Sequence, residues 1–221
     1  METKFSVNQL VGIWARQRRL FGGTVLLLSG LLTTACQTVQ TTSPGVVGIT
    51  REQTMAVSAQ EVEVASAQAY NTMVGEARRK QQLNRDPALE TRVQAISRRL
   101  IAQAPVFRED ARRWRWEVNV FQSKEINAFC MAGGKIGVYS GLVTGLQLTD
   151  DELAAVIGHE IAHALREHVR EQMTMQYAAQ LPGLLVGIAT GSRALAQLGD
   201  MVSEVTLRLP HSRQAEVEAD Q

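Results

Sequence analysis

The sequence predicts an α+β domain, mostly helical, with a small antiparallel sheet beside one particular helix. Three observations point there. Apolar residues recur at helical spacing in several segments opened by cap residues. Short alternating runs flank a Gly-Gly turn and read as strands. The helix that follows them carries His159-Glu160-Ile161-Ala162-His163.

The first 36 residues differ from the rest. Arg16, Arg18 and Arg19 precede an apolar run from Phe21 to Leu32, and Thr33-Thr34-Ala35-Cys36 closes it with small residues. A dozen apolar residues are too few to span a bilayer but suit the core of a signal peptide. Residues 1–35 therefore read as a signal peptide. Cys36, directly after small residues, resembles a bacterial lipoprotein processing site and would be lipidated. Thr33 stands where such sites prefer Leu. Removing residues 1–35, with four basic and one acidic residue, would leave 19 basic and 21 acidic residues. That balance offers no cationic surplus for nucleic acid. Cys130 would be the one remaining cysteine besides Cys36 and reads as a small strand-core residue.

Residues 36–50, rich in Thr, Gln, Ser, Gly and Pro, suit a tether to the domain at 51–221. A long helix is expected from about Ser58 to Gln82. Asn84-Arg85-Asp86-Pro87 breaks it, with Asp86 as N-cap and Pro87 as first residue of the next helix, to about 103. Leu89, Val93, Ile96 and Leu100 lie on its core side. Trp116 to Gln122 alternates as a strand, and Ile126 to Met131 is a second extended run. Ala132-Gly133-Gly134-Lys135 turns the chain, and Ile136 to Tyr139 returns. The apolar stretch from Leu181 to Ala189 reads as buried helix packing; it is too short to cross a membrane.

Thr149-Asp150-Asp151-Glu152 forms a capping box, and the acidic first turn suits the positive end of the helix dipole. Leu153, Val156, Ile157, Ile161, Ala164 and Leu165 make the buried stripe. His159 and His163 lie about 40° apart at the edge of that stripe, where a neighbouring segment could cover both. Two imidazoles on one helix face with a carboxylate beside them form a zinc-hydrolase signature. A catalytic site needs a third protein ligand, leaving one position for water. Ser212 to Asp220 offers one, because Glu216 and Asp220 are four apart on a helix face; one can bind metal while the other orients a histidine. His168, nine residues after His159, lies about 180° round a continuous helix and reads as a surface or capping histidine. His211 is left outside the site, since nothing in its spacing places it there.

H-E-x-x-H followed by Ser212-Arg213-x-x-Glu216-x-Glu218-Ala219-Asp220 resembles the HtpX-like metallopeptidases, the family that includes the CAAX prenyl protease. Asn127-Ala128-Phe129, Gly133-Gly134 and Val138-Tyr139-Ser140-Gly141-Leu142 resemble its "N-A-F … G-G … V-x-x-G-L" segment, in the same order. The resemblance implies a gluzincin-type domain with one Zn2+ per chain. It implies His159, His163 and Glu216 as ligands, Glu160 as general base and Asp220 as an orienting partner. Asn127, Ala128 and Phe129 are the candidate edge for a peptide substrate, which can add to a sheet as an extra strand. Glu218, two residues from Glu216, points to another face. Family members continue through further helices, so the resemblance implies a domain whose C-terminal part is missing at Gln221.

The expected function is zinc-dependent hydrolysis of peptide bonds in quality control of cell-envelope proteins. Its substrates would be misfolded envelope proteins. The chain would face the periplasm, anchored by lipid at Cys36, with Gln37 after the cysteine favouring the outer membrane. The alternative is a non-catalytic envelope chaperone or assembly factor whose fold zinc stabilises.

Overall fold

The sheet at the centre of the domain is mixed rather than wholly antiparallel. The computed structural model describes residues 37–44, 48–180 and 192–221, with the side chains of 177–180 and 192–196 outside the description. The proposed signal peptide, Cys36 and the apolar stretch 181–189 lie outside the described residues. The compact unit considered below runs from Thr38 to Gln221.

In chain order the elements are β1 (Gln37–Val39), β2 (Gln53–Met55), α1 (Ala59–Arg79), α2 (Pro87–Ile101) and α3 (Ala104–Phe107). A 3-10 turn at Glu109–Arg113 leads to β3 (Glu117–Phe121), β4 (Ala128–Met131) and β5 (Lys135–Tyr139). Then come α4 (Ser140–Leu146), α5 (Asp150–Leu165), α6 (His168–Gln180), α7 (Ser192–Leu207) and α8 (Arg213–Asp220). No described helix is long and apolar enough to cross a membrane.

Caps start the helices where the sequence places them. Asp86 accepts hydrogen bonds from the Ala88 and Leu89 amides, with Pro87 in the first turn. The Thr149–Glu152 capping box is complete, each partner bonding the other's backbone. Ser58 and Glu61 cap α1 in the same way.

The sheet order is β3-β5-β4. β4 and β5 form the expected antiparallel hairpin, Phe129 opposite Gly137. Gly133 and Gly134 turn it with φ of +76° and +79°, a backbone that L side chains resist. β3 corrects the expectation of a wholly antiparallel sheet: it runs parallel to β5, Val120 opposite Val138. The chain crosses from β3 past β5 to β4 and returns through the centre. Alternation of side chains along a strand says which face each residue occupies, but not which neighbour it pairs with.

Both faces of the sheet are covered, which is why β4 is buried at every residue. Ala128, Cys130, Ile136 and Val138 share one core with α2 and α5, including Val93, Leu153, Ile157 and Ile161. Phe121, Phe129 and Met131 share the other with Tyr70, Met173, Val202 and Val205 from α1, α6 and α7. Cys130 is thus the core residue expected. At Gly137 an added Cβ would stand 2.3 Å from the Phe129 ring, so β5 makes room there for its neighbour's aromatic side chain.

Part of the expected tether belongs to this fold. The Ser43 amide donates to the Phe107 carbonyl, and Thr41 and Thr42 accept hydrogen bonds from the Arg166 guanidinium.

Candidate metal centre

The histidine pair of α5 faces α8, which covers the edge of the apolar stripe. Leu153, Ile157, Ile161, Ala164 and Leu165 turn into the core as expected, with Val156 partly buried beside them. His159 and His163 stand one turn apart, and Ser212 caps α8 so that its first turn presents Glu216 to both. The Nε2 atoms of His159 and His163 are 3.0 Å apart. Glu216 Oε2 lies 3.4 Å from His159 Nε2, and Oε1 lies 3.6 Å from His163 Nε2. These three side chains form the candidate metal-holding cluster among the described residues.

The donor set fits zinc. A tetrahedral ion bonded at 2.0–2.1 Å has ligands roughly 3.3 Å from one another, and the three separations above bracket that value. Two imidazoles and one carboxylate leave a fourth corner open. Asp220 Oδ1 sits 3.0 Å from Nδ1 of His159, where it can accept the proton that leaves Nε2 free.

Glu160, beside this cluster, is pushed up to about 8 by burial and then by the charge of Glu216. Burial holds His163 down to about 2, with the neighbouring histidines adding to the effect. A neutral imidazole is the form that binds metal.

Three residues outside the expected site belong to its surroundings. His168 is 1% exposed, not a surface residue, and its Nδ1 lies 2.9 Å from Nδ1 of His163. The expectation failed because it extrapolated one helix. α5 stops at Leu165, Glu167 adopts φ +54°, and α6 begins at His168 in a new direction. A non-glycine residue in that conformation is uncommon, and Arg166-Glu167 carries no stop signal. His211 stacks on the His163 ring, centroids 4.1 Å apart, and no spacing rule would have found it.

Glu218 does turn away from Glu216, as the sequence suggests, but it turns inward. It is 3% exposed, accepts hydrogen bonds from Arg51 and Arg166, and lies 3.2 Å from Nε2 of His168. Burial pushes its carboxyl up, yet the bonds from Arg51, Arg166, His168 and Gln214 outweigh burial and hold it at about 2. Arg51 also bridges to Glu171 at 2.5 Å, so residues before α1 are pinned to the elements around the site.

The candidate substrate edge is partly as expected. β4 is one of the two outer strands, with β3 the other, and no further strand pairs with its far side among the described residues. Asn127 precedes it, its carbonyl accepting from the Tyr139 amide. The Phe129 side chain is not available to a ligand. It is fully buried against Tyr70, Phe121 and Tyr139, and with the whole residue 0% exposed its main chain is covered as well. Of the three expected residues Phe129 is therefore closed to a ligand, while Ala128 is 7% exposed.

A mixed sheet against a helix with H-E-x-x-H, and a second helix returning a glutamate, define a metallopeptidase-like centre. The family model described as "Peptidase family M48" matches residues 87–221, and the chain belongs to that family. It is 39% identical over 105 residues to the mitochondrial metalloendopeptidase OMA1 of Arabidopsis thaliana, covering 48% of this chain and 21% of that protein. With metalloprotease LoiP of Escherichia coli it shares 35% over 104 residues, 46% of this chain and 40% of the relative. With a putative beta-barrel assembly-enhancing protease of Vibrio cholerae it shares 32% over 101 residues, 46% of this chain and 19% of the relative. The chain thus spans well under half the length of these relatives.

Proposed function

We propose that this chain is a zinc-dependent metalloendopeptidase that hydrolyses peptide bonds in cell-envelope proteins, within the HtpX-like lipoprotein branch of its family. The observation that carries the reading is the triangle of His159 Nε2, His163 Nε2 and a Glu216 carboxylate, with edges of 3.0, 3.4 and 3.6 Å.

His159, His163 and Glu216 would hold the ion, and Asp220 would orient His159. Bound zinc supplies a Lewis acid that polarises a carbonyl and acidifies water. Glu160, partly buried beside the cluster, would as a carboxylate take a proton from the attacking water and pass it to the leaving amine. The edge where β4 starts, at Asn127 and Ala128, would hold the peptide main chain as an added strand. A sequence-tolerant main-chain contact of this kind suits extended, misfolded proteins as substrates. The N-terminal sequence supports a signal peptide over residues 1–35 and a lipid anchor at Cys36 facing the periplasm, with Gln37 favouring the outer membrane.

Glu160→Gln tests the mechanism. It should leave zinc content unchanged and reduce cleavage of an unfolded protein by at least ~100-fold, the scale of lost general-base catalysis. Equal cleavage by the variant would refute the role of Glu160. A zinc-loaded wild-type chain without peptidase activity would favour the chaperone reading instead. Mass spectrometry of the mature N-terminus reads lipidation at Cys36 directly.

A further inference from the structure

His163 uses one ring nitrogen in the cluster and presents the other to a buried histidine. Its Nε2 faces His159 and Glu216, while its Nδ1 lies 2.9 Å from Nδ1 of His168. On the far side of the His168 ring, Nε2 lies 3.2 Å from Glu218 Oε2. That same oxygen accepts from the Arg166 guanidinium at 2.6 Å, and Arg51 donates to the carboxylate as well.

We propose that His168 is a positioning residue for metal binding: it accepts the Nδ1–H of His163 and donates its own Nε2–H to Glu218, holding His163 with its Nε2 lone pair free for zinc. The inference rests on reading His159, His163 and Glu216 as the zinc site.

Proton counting fixes the direction of the relay. Glu218, with two guanidiniums as donors, is an ionised carboxylate and only accepts. The His168 Nε2 facing it therefore carries the proton. His168 is 1% exposed and shares its carboxylate with Arg166, surroundings that favour a neutral ring, which has a single N–H. Its Nδ1 is then a lone pair, and a second lone pair at 2.9 Å would repel it, because no ion would lie between these two atoms as zinc would between the Nε2 atoms of His159 and His163. So the His163 Nδ1 carries a proton, and its Nε2 is bare. The other neutral arrangement would turn a lone pair of His168 toward a carboxylate and protonate the very nitrogen that faces Glu216.

A ligand histidine commonly donates its second N–H to a carboxylate or carbonyl. Here the carboxylate acts one ring removed, so its charge reaches the ligand without entering the site. α8 supplies all three acidic groups: Glu216 in the cluster, Asp220 behind His159, and Glu218 behind His168 and so behind His163. The alternation E-x-E-x-D therefore spends two carboxylates on orientation for each one in the cluster.

The test is zinc affinity of the metal-stripped chain, measured by competition with a chromophoric chelator. His168→Leu should weaken binding by about 10–100-fold. His168→Asn should regain most of that loss, because its Oδ1 can accept from His163 where Nδ1 stood, although it fills less of the buried space. Nitrogen-15 ring spectra of the metal-free wild type should show His163 protonated on Nδ1. Wild-type affinity in His168→Leu overturns the proposal. Equal losses in the Leu and Asn variants reduce His168 to packing and overturn it too. His163 protonated on Nε2 in the wild type overturns it without any variant, even if both substitutions unfold the chain. Zinc binding that survives His163→Ala undoes the zinc-site reading itself, which the His168 variants leave standing.

Discussion

Glu160→Gln should stabilise the metal-free chain, and the gain should grow with pH. Burial, and then the charge of Glu216, raise the Glu160 carboxyl from 4.5 to about 8. A raised carboxylate value means that the fold favours the neutral acid. The associated stability is complete below pH 4.5 and is lost as pH rises through about 8, where the buried group ionises. At about 1.4 kcal/mol per unit the full shift corresponds to at most ~5 kcal/mol. Partial solvent access to the site reduces this to roughly 2–3 kcal/mol. Glutamine has nearly the same shape and never ionises, so it escapes the loss. Urea unfolding with chelator present, at steps from pH 5 to pH 9, gives both stabilities as midpoint times slope. The variant should gain little at pH 5 and ~2–3 kcal/mol at pH 9. Added zinc should shrink the gain, because a cation favours the carboxylate. A difference that is flat across this range would refute the assignment of a buried, charge-coupled acid at Glu160.

Other consequences are equally direct. Gly137→Ala drives a Cβ into the buried Phe129 and Phe121 rings, and a loss of about 1–3 kcal/mol is expected from urea or thermal unfolding. Arg166→Met leaves the buried Glu218 with fewer donors and releases Thr41 and Thr42; a loss of about 3–5 kcal/mol is expected, and under 1 kcal/mol would show the pair to be dispensable. Burial holds His163 down to about 2 and His168 to about 4. Bases with depressed values keep their full stability above about pH 6.5 and lose it as pH falls. The depressed Glu218 carboxyl adds a loss below pH 4.5. Midpoints of the metal-free chain should therefore fall steadily from pH 6.5 to 4, and less steeply in His168→Asn.

Much of this molecule is local, and local features are legible in a sequence. Asp86-Pro87 and the Thr149–Glu152 box start their helices because a cap is satisfied within three residues. Gly133-Gly134 turns the hairpin because two successive positive φ angles need it. The spacing of His159 and His163 puts both on one helix face by the 3.6-residue repeat alone. The same repeat pairs Glu216 with Asp220, and Asp220 stands behind His159.

Tertiary structure decided whatever depends on which element meets which. β3 runs parallel to β5 because of a crossing that no strand records in its own residues. His168 became a neighbour of His163 through a left-handed residue at Glu167, a backbone choice without a sequence signal. Phe129 went to the core because Gly137, on the strand opposite, leaves space for its ring. Arg51, Arg166 and Glu218 lie up to 167 residues apart and met only because buried charges must find partners. By itself the sequence determined that two histidines share a helix face with a glutamate between them. Only packing decided that α8 brings one carboxylate into that site and sets two more behind it, since helix contacts depend on buried surface rather than on spacing.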